Sequence, residues 1–448
     1  MYSVDPKHFA QRRRDFMEAI GPDAVAIFTA NPKQARSHDT NFPYRPSSDI
    51  LYLTGFREPE AVLVLAPGHE KGNFAMFVRP RDADAEMWNG ERTGPEGACE
   101  EFGADAAFEI DEIDEKLPEF LENRDTLYYT LGRDREFDQK VSHWVNELRH
   151  GRSKPPAAPG SVVDVRDILH EQRLRKRPEE LALMRRANEI SSRAHILAMK
   201  HCRPGMQEYE LQALLEYHFR RNGAEFPAYP SIVGAGDNAT CLHYTDNRDT
   251  IDERDVVLVD AGCEFEFYAG DITRSFPASG SFSAVQRDVY QAVLDAQKAA
   301  IDDIEPDLEF DTLQQNTVER LTRSLVDLGV LDGSVDELVE DEEYKDFFPH
   351  KVGHWLGIDV HDVGPYHTGE GSWRPLRPGM VLTVEPGLYF PAQNEEIPDE
   401  FRGLGVRIED DILVTADGHE NLSSACPKEV DDIEELVGSA ESHPRDLL

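Results

Sequence analysis

Four carboxylates set within or at the ends of strand-like runs constrain this chain more than any other feature. Asp260 ends Val256–Val259, Glu385 ends Val381–Val384, Asp271 stands in YAGDITRSF, and Glu409 in GVRIEDD. The runs read as buried strands, and a carboxylate inside such a strand is costly to bury unless something pairs with it. If 256–261 and 265–276 form a hairpin, Asp260 and Asp271 face each other across adjacent strands. Four acids in one region call for about four positive charges, which two divalent cations supply. His354, within HKVGHWLGIDVHD (350–362), adds a nitrogen donor. One histidine with four carboxylates suits a bridged metal pair ~3.5–4 Å apart, which lowers the pKa of a bridging water and creates a nucleophile near neutral pH. Oxygen-rich ligation favours manganese over zinc. Taken singly, each residue has an ordinary reading: a strand-end acid, a Glu409 paired with Arg407, a surface or core histidine. The joint pattern changes the weighting.

Composition narrows the function classes. Hydrophobic residues make up 40% and charged residues 30%, as in a soluble globular protein. A formal net charge of -40 repels nucleic acid and anionic membranes, so neither is an expected partner. The metal-site acids are too few to explain that charge, and the rest reads as a solvated acidic surface. Arginine outnumbers lysine, a bias compatible with a salt-adapted host. No apolar run approaches the ~20 residues of a membrane span, and the basic N-terminus has no apolar stretch behind it. The five scattered cysteines offer no disulfide framework, which points to reduced thiols in a cytoplasm.

At 448 residues the chain has room for two domains. Strands are predicted at 24–28, 50–56, 61–67, 74–80 and 126–132, with a helix over 137–149. GRSKPPAAPGS (151–161) has the composition of an interdomain linker. The boundary is placed after it, giving domains 1–172 and 173–448. Pro178-Glu179-Glu180 opens a long helix, proline fitting the first helical position and the acids the positive end of the dipole. Further helices are expected at 207–221, 284–302 and 310–328. Strands are expected at 256–262, 265–276, 379–387 and 405–415. The acidic block 334–346 reads as solvated, and the tail after about 430 as an acidic helix fraying at its end.

The motifs DAGCEFEFYAGDITRSF, HKVGHWLGIDVHDVG, VLTVEPGLY and GVRIEDD, in this order, closely resemble those of the pita-bread metallopeptidases. That superfamily includes methionine aminopeptidase, prolidase and aminopeptidase P. The segment FPYRPSSDILYLTGFREPEAVLVL (42–65) resembles the N-terminal domain of bacterial aminopeptidase P. The resemblance implies an α/β N-terminal domain before an α+β, pseudo-symmetric pita-bread catalytic domain. It implies two metals on Asp260, Asp271, His354, Glu385 and Glu409, with Asp271 and Glu409 bridging. It places His243 and His361 beside the metals, orienting substrate and stabilising a tetrahedral intermediate, and His350 in the pocket for a proline ring. Arg407, two residues before Glu409, is expected to hold a metal-bound acid in place. Tyr229 and Trp88 are candidates for shaping the substrate pocket. The family usually has a small residue after the first histidine of HxxGH, where this chain has Lys351. If that position needs a positive φ, lysine would be strained there.

The implied activity is removal of the first residue from peptides with proline at the second position. A metal-bridging hydroxide would attack the first peptide bond, with Glu385 shuttling the proton. The resemblance also implies a homo-oligomer, a homotetramer being the expected form, with Trp88 near a neighbouring active site. Prolidase, restricted to dipeptides, is the nearest alternative. Methionine aminopeptidase would leave residues 1–170 unexplained. An inactive pita-bread binding module would have lost ligands that are intact here.

Overall fold

Alternation of apolar runs with turn-forming residues builds a mixed sheet at the N-terminal end. In the computed structural model, residues 4–150 and 157–441 are described. They form two units, one reaching Gln172 and the other beginning at Arg173. The first unit holds a six-stranded sheet in the order Ala106–Glu109, Phe74–Val78, Val62–Leu65, Ala24–Thr29, Thr126–Tyr128, Ser161–Val163. Ala24–Thr29 is antiparallel to Val62–Leu65 and parallel to Thr126–Tyr128. Ala24–Thr29, Val62–Leu65 and Phe74–Val78 are buried at every position, because elements cover both faces. That is why these runs are continuously apolar rather than alternating.

Two expectations fail in this unit. Residues 50–56 are not a strand: Ser48–Thr54 is a helix closed by Gly55 in the left-handed region (φ 74°). Nearly every side chain of this short helix is buried, so no amphipathic period marked it off from a buried strand. Arg12 and Arg13 donate to the Tyr52 and Leu53 carbonyls at its end, supplying partners that the last turn lacks. Nor is the described part of the linker-like stretch free: Ala157 and Gly160 are hydrogen-bonded to Asn123 and Asp125. Residues 151–156 lie outside the described residues, but Ser161–Val163 forms the edge strand of the first sheet.

The second unit repeats a plan of two packed helices followed by strands. Pro178–His201 packs on Glu208–Arg221, and Ala284–Asp302 on Phe310–Asp327. After the first pair comes the sheet Ile232–Ala235, Val256–Asp260, Thr273–Pro277; after the second, Val381–Val384, Asp410–Val414, His419–Asn421. Gly387–Phe390 pairs with Leu404–Arg407 between them. The acidic block contains the short helix Val335–Glu340, and the tail begins as Val430–Leu436. The fraying expected at its end falls on 442–448, outside the described residues.

Two strands predicted as continuous are broken. The stretch 265–276 divides into a small hairpin, Cys263–Phe265 with Tyr268–Ala269, and the strand Thr273–Pro277. The stretch 405–415 divides at Ile408-Glu409 into strands of two different sheets. Both breaks fall at the acids that the sequence pattern singled out.

Candidate active site

The candidate acids sit where strands end. Asp260 is the last residue of its strand; Asp271 lies just before Thr273–Pro277, Glu385 just after Val381–Val384, and Glu409 at the break between strands. Leaving the ladder frees a carboxylate to turn out of the sheet while its neighbours stay pinned. Ala261 N–H donates to Ile272 O at 3.0 Å, Glu409 N–H to Thr273 O at 3.1 Å, and Glu385 N–H to Val352 O at 2.8 Å. Asp260 pairs in register with Thr273, not with Asp271. The two acids therefore do not face each other across a hairpin ladder. They meet at the Tyr229 hydroxyl, which lies 2.6 Å from Asp260 Oδ1 and also contacts Asp271 Oδ1.

Asp271, His354 and Glu409 each present a donor atom within 4.8 Å of the others. His354 Nε2 lies 3.4 Å from Asp271 Oδ2 and 3.6 Å from Glu385 Oε1. Its Nδ1–H donates to the Trp355 carbonyl at 3.1 Å, which turns Nε2 toward the carboxylates, where it can bind a metal once its proton is displaced. Among the four acids, Asp260 has a full-charge partner in Arg407, whose Nη2 donates to Oδ2 at 2.7 Å. Arg407 thus holds a candidate ligand in place, and that ligand is Asp260; it does not pair with Glu409.

The protein alone leaves this cluster short of positive charge. Burial raises Asp260, and Asp271 adds to the rise against the pull of Arg407. Burial and the neighbouring carboxylates push Glu409 well above the usual carboxylate range. Glu385 rises to about 7, burial outweighing His354 and Arg407. Burial opposes charging His354, yet the Asp271 and Glu385 carboxylates raise it to about 9. The Tyr229 phenol is pushed up by burial and by Asp260 and Asp271. One phenolic proton cannot satisfy two carboxylates. Hard oxygen donors, one imidazole nitrogen facing them and unmet negative charge fit divalent cations.

Contacts invisible to sequence reasoning support the cluster. Thr273 Oγ1 donates to Glu409 Oε2 at 2.6 Å and accepts from Arg407 Nε at 3.2 Å. Thr383 Oγ1 lies 3.4 Å from Glu385 Oε1 and accepts from His354 N–H at 3.1 Å. Asp411, fully buried, accepts the Asp271 N–H at 2.9 Å. Arg407 Nη1 donates to the Tyr389 hydroxyl at 2.9 Å, which lies 2.8 Å from His350 Nε2. His350 Nδ1–H donates to the Lys351 carbonyl, so the hydroxyl donates to Nε2. Burial lowers His350 to about 3, keeping it neutral.

A cavity of about 950 Å³ opens on the cluster, lined by all the candidate metal ligands together with Tyr229, His243, His350, His361 and Arg407. His361 packs edge-on to His354, ring centroids 4.3 Å apart, while His243 projects from a turn. Trp88 lies in the first unit, on Ala83–Asn89, with 81% of its surface exposed. Lys351 is outside the positive-φ region, so the strain considered for it does not arise.

Comparison with known proteins agrees with this geometry. Residues 182–416 match the model of metallopeptidase family M24, and 9–128 match that of the aminopeptidase P N-terminal domain. The Xaa-Pro aminopeptidase of Escherichia coli is 43% identical, covering 98% of this chain and 99% of its own length. The solved Pseudomonas aeruginosa aminopeptidase PepP superposes with a TM-score of 0.95 at 47% identity, over 97% of this chain and 98% of that one. A zinc-substituted E. coli aminopeptidase P in complex with product gives 0.94 at 42% identity, over 98% and 100%. With a catalytic domain of pita-bread type behind an aminopeptidase P N-terminal domain, the chain belongs to metallopeptidase family M24.

Proposed function

We propose that the chain is an Xaa-Pro aminopeptidase, carrying two divalent ions on Asp260, Asp271, His354, Glu385 and Glu409. The observation that carries the metal reading is a buried carboxylate cluster, short of positive charge, at the wall of a substrate-sized cavity. The similar E. coli enzymes, one named for Xaa-Pro substrates and one solved with zinc and product, support both metal and substrate class. Bound there, such ions supply Lewis acidity and an activated water. Manganese is the expected metal, on the oxygen-rich donor set.

The chain's own groups divide the remaining work. Glu385, open to the cavity, takes a proton and passes it to the departing amine. His361 and His243 present ring N–H groups toward charge developing on the carbonyl oxygen. Neutral His350, held by Tyr389, offers a ring face to the proline. An Xaa-Pro bond has no N–H, so recognition rests on the ring rather than on a backbone donor. A homo-oligomer, a homotetramer being the expected form, and a cytoplasmic setting complete the reading; no helix among the described residues is long and apolar enough to cross a membrane.

Chelation should abolish peptidase activity, and manganese should restore it best. Full activity in a verified metal-free preparation would end the two-metal reading. Xaa-Pro-Yaa peptides should be cut at the first bond faster than Xaa-Pro dipeptides. Replacing proline by alanine should lower kcat/KM by about tenfold to hundredfold. Efficient cleavage of dipeptides with poor cleavage of tripeptides would instead identify a prolidase.

A further inference from the structure

The cavity lining carries a cation that the catalytic reading leaves unused. Lys351 is exposed on that lining, one residue beyond His350. The other lysine or arginine there, Arg407, is engaged by Asp260 and Tyr389. No ion pair among the described residues involves the Lys351 ammonium. In a chain with 87 acids against 47 bases, a lysine without an acidic partner stands out. Asp311, on the same lining, takes a hydrogen bond from Gln315 at 2.6 Å and does not pair with Lys351.

The order of residues gives the lysine a place along the substrate. Glu385 belongs to the buried cluster, and His350 Nδ1 lies 3.9 Å from its Oε2. The His350 ring is anchored on Tyr389 and the Lys351 carbonyl, so the lysine side chain starts from a fixed backbone. His350 and Lys351 line the same cavity, so a peptide whose proline packs on His350 would carry its next residue along a lining that includes the lysine. One further residue advances the chain by ~3.3–3.6 Å, which the flexible four-carbon stem can follow.

We propose that Lys351 is a specificity residue favouring peptides that carry a carboxylate one residue beyond the proline. Either the C-terminal carboxylate of a tripeptide or an acidic side chain at that position supplies it. The proposal rests on the aminopeptidase reading above. It is tested with Ala-Pro-Ala as free acid against its amide, and with Ala-Pro-Glu-amide against Ala-Pro-Gln-amide. At low ionic strength the manganese-loaded wild type should prefer the charged member of at least one pair by about threefold to fivefold in kcat/KM. The first pair reports the C-terminal carboxylate and the second the side chain. The preference should fall to near one in Lys351→Gln, reverse in Lys351→Glu, and fade in ~1 M salt. Equal rates within both pairs, or a preference unchanged in Lys351→Gln, overturns the assignment and leaves the aminopeptidase reading standing. A wild type that cuts none of the four peptides sinks that reading, and this assignment with it.

Discussion

The Tyr229 hydroxyl, caught between Asp260 and Asp271, shows at the scale of single residues how far the site's charge is from balance. The same imbalance predicts how the metal-free protein responds to pH. Glu385 keeps its proton to about pH 7 in the folded chain, against an ordinary value of 4.5. His354 keeps its own to about pH 9, against 6.5. Both folded values are raised, so each group's stabilisation is complete below its unfolded value and is lost as pH climbs through the folded one. The melting temperature of metal-free protein should therefore fall between about pH 5 and pH 9. Bound metal takes the place of those protons, so the stabilisation it confers should grow with pH across the same window. Thermal melts with and without manganese measure both trends; a metal-free melting temperature that rises across the window would contradict the charge deficit. Asp260→Asn should lower metal occupancy and turnover together, since it weakens a proposed ligand and strands Arg407.

Between elements, the site depends on how closely the His354 loop approaches its neighbouring strand. Thr383 N–H donates to the His354 carbonyl at 2.9 Å, and the His354 N–H returns to Thr383 Oγ1. Gly353 makes this possible, because a Cβ there would overlap the Thr383 carbonyl. Gly353→Ala should cost on the order of 3 kcal/mol in denaturant unfolding and weaken metal binding, as the loop must move off the strand. Unchanged stability with full metal affinity would show that the loop can shift without cost. Close approaches like this one mark what could not be read from the chain. An acid ending an apolar run is a local signal, and it located Asp260 and Glu385 directly. Asp271 and Glu409 stood out as acids within strand-like stretches and were set inside continuous strands, because nothing local shows where a ladder breaks. Thr273, Thr383, Tyr389 and Asp411 were missed: the partners of Thr273 and Asp411 lie more than a hundred residues away, and a threonine in a strand is unremarkable by itself. Residues 50–56 failed for a different reason, since a short apolar run buried on all sides has no period to read.

At the scale of the whole molecule, the formal charge of -40 pulls stability and metal binding in opposite directions. Excess negative charge repels itself most in the compact state, so it destabilises folding. Salt shortens the reach of that repulsion, from a Debye length of ~10 Å at 0.1 M to ~3 Å at 1 M. Screening also weakens surface ion pairs, but pairs such as Lys33–Glu60, with both side chains exposed, contribute little. The net effect on metal-free protein should be a melting temperature that rises steadily with sodium chloride up to ~1 M. Metal binding should move the other way. The same field that opposes folding concentrates divalent cations around the protein, and salt removes that attraction. Apparent manganese affinity, read by calorimetry at fixed pH, should therefore fall as the melting temperature rises. Ligand bonds inside the buried cluster are screened much less than surface charges, so affinity should level off rather than vanish. A melting temperature that is flat or falling over this range would mean that the surface acids are already neutralised by neighbours. Affinity independent of salt would mean that the buried cluster alone, and not the surrounding field, sets how tightly the metals are held.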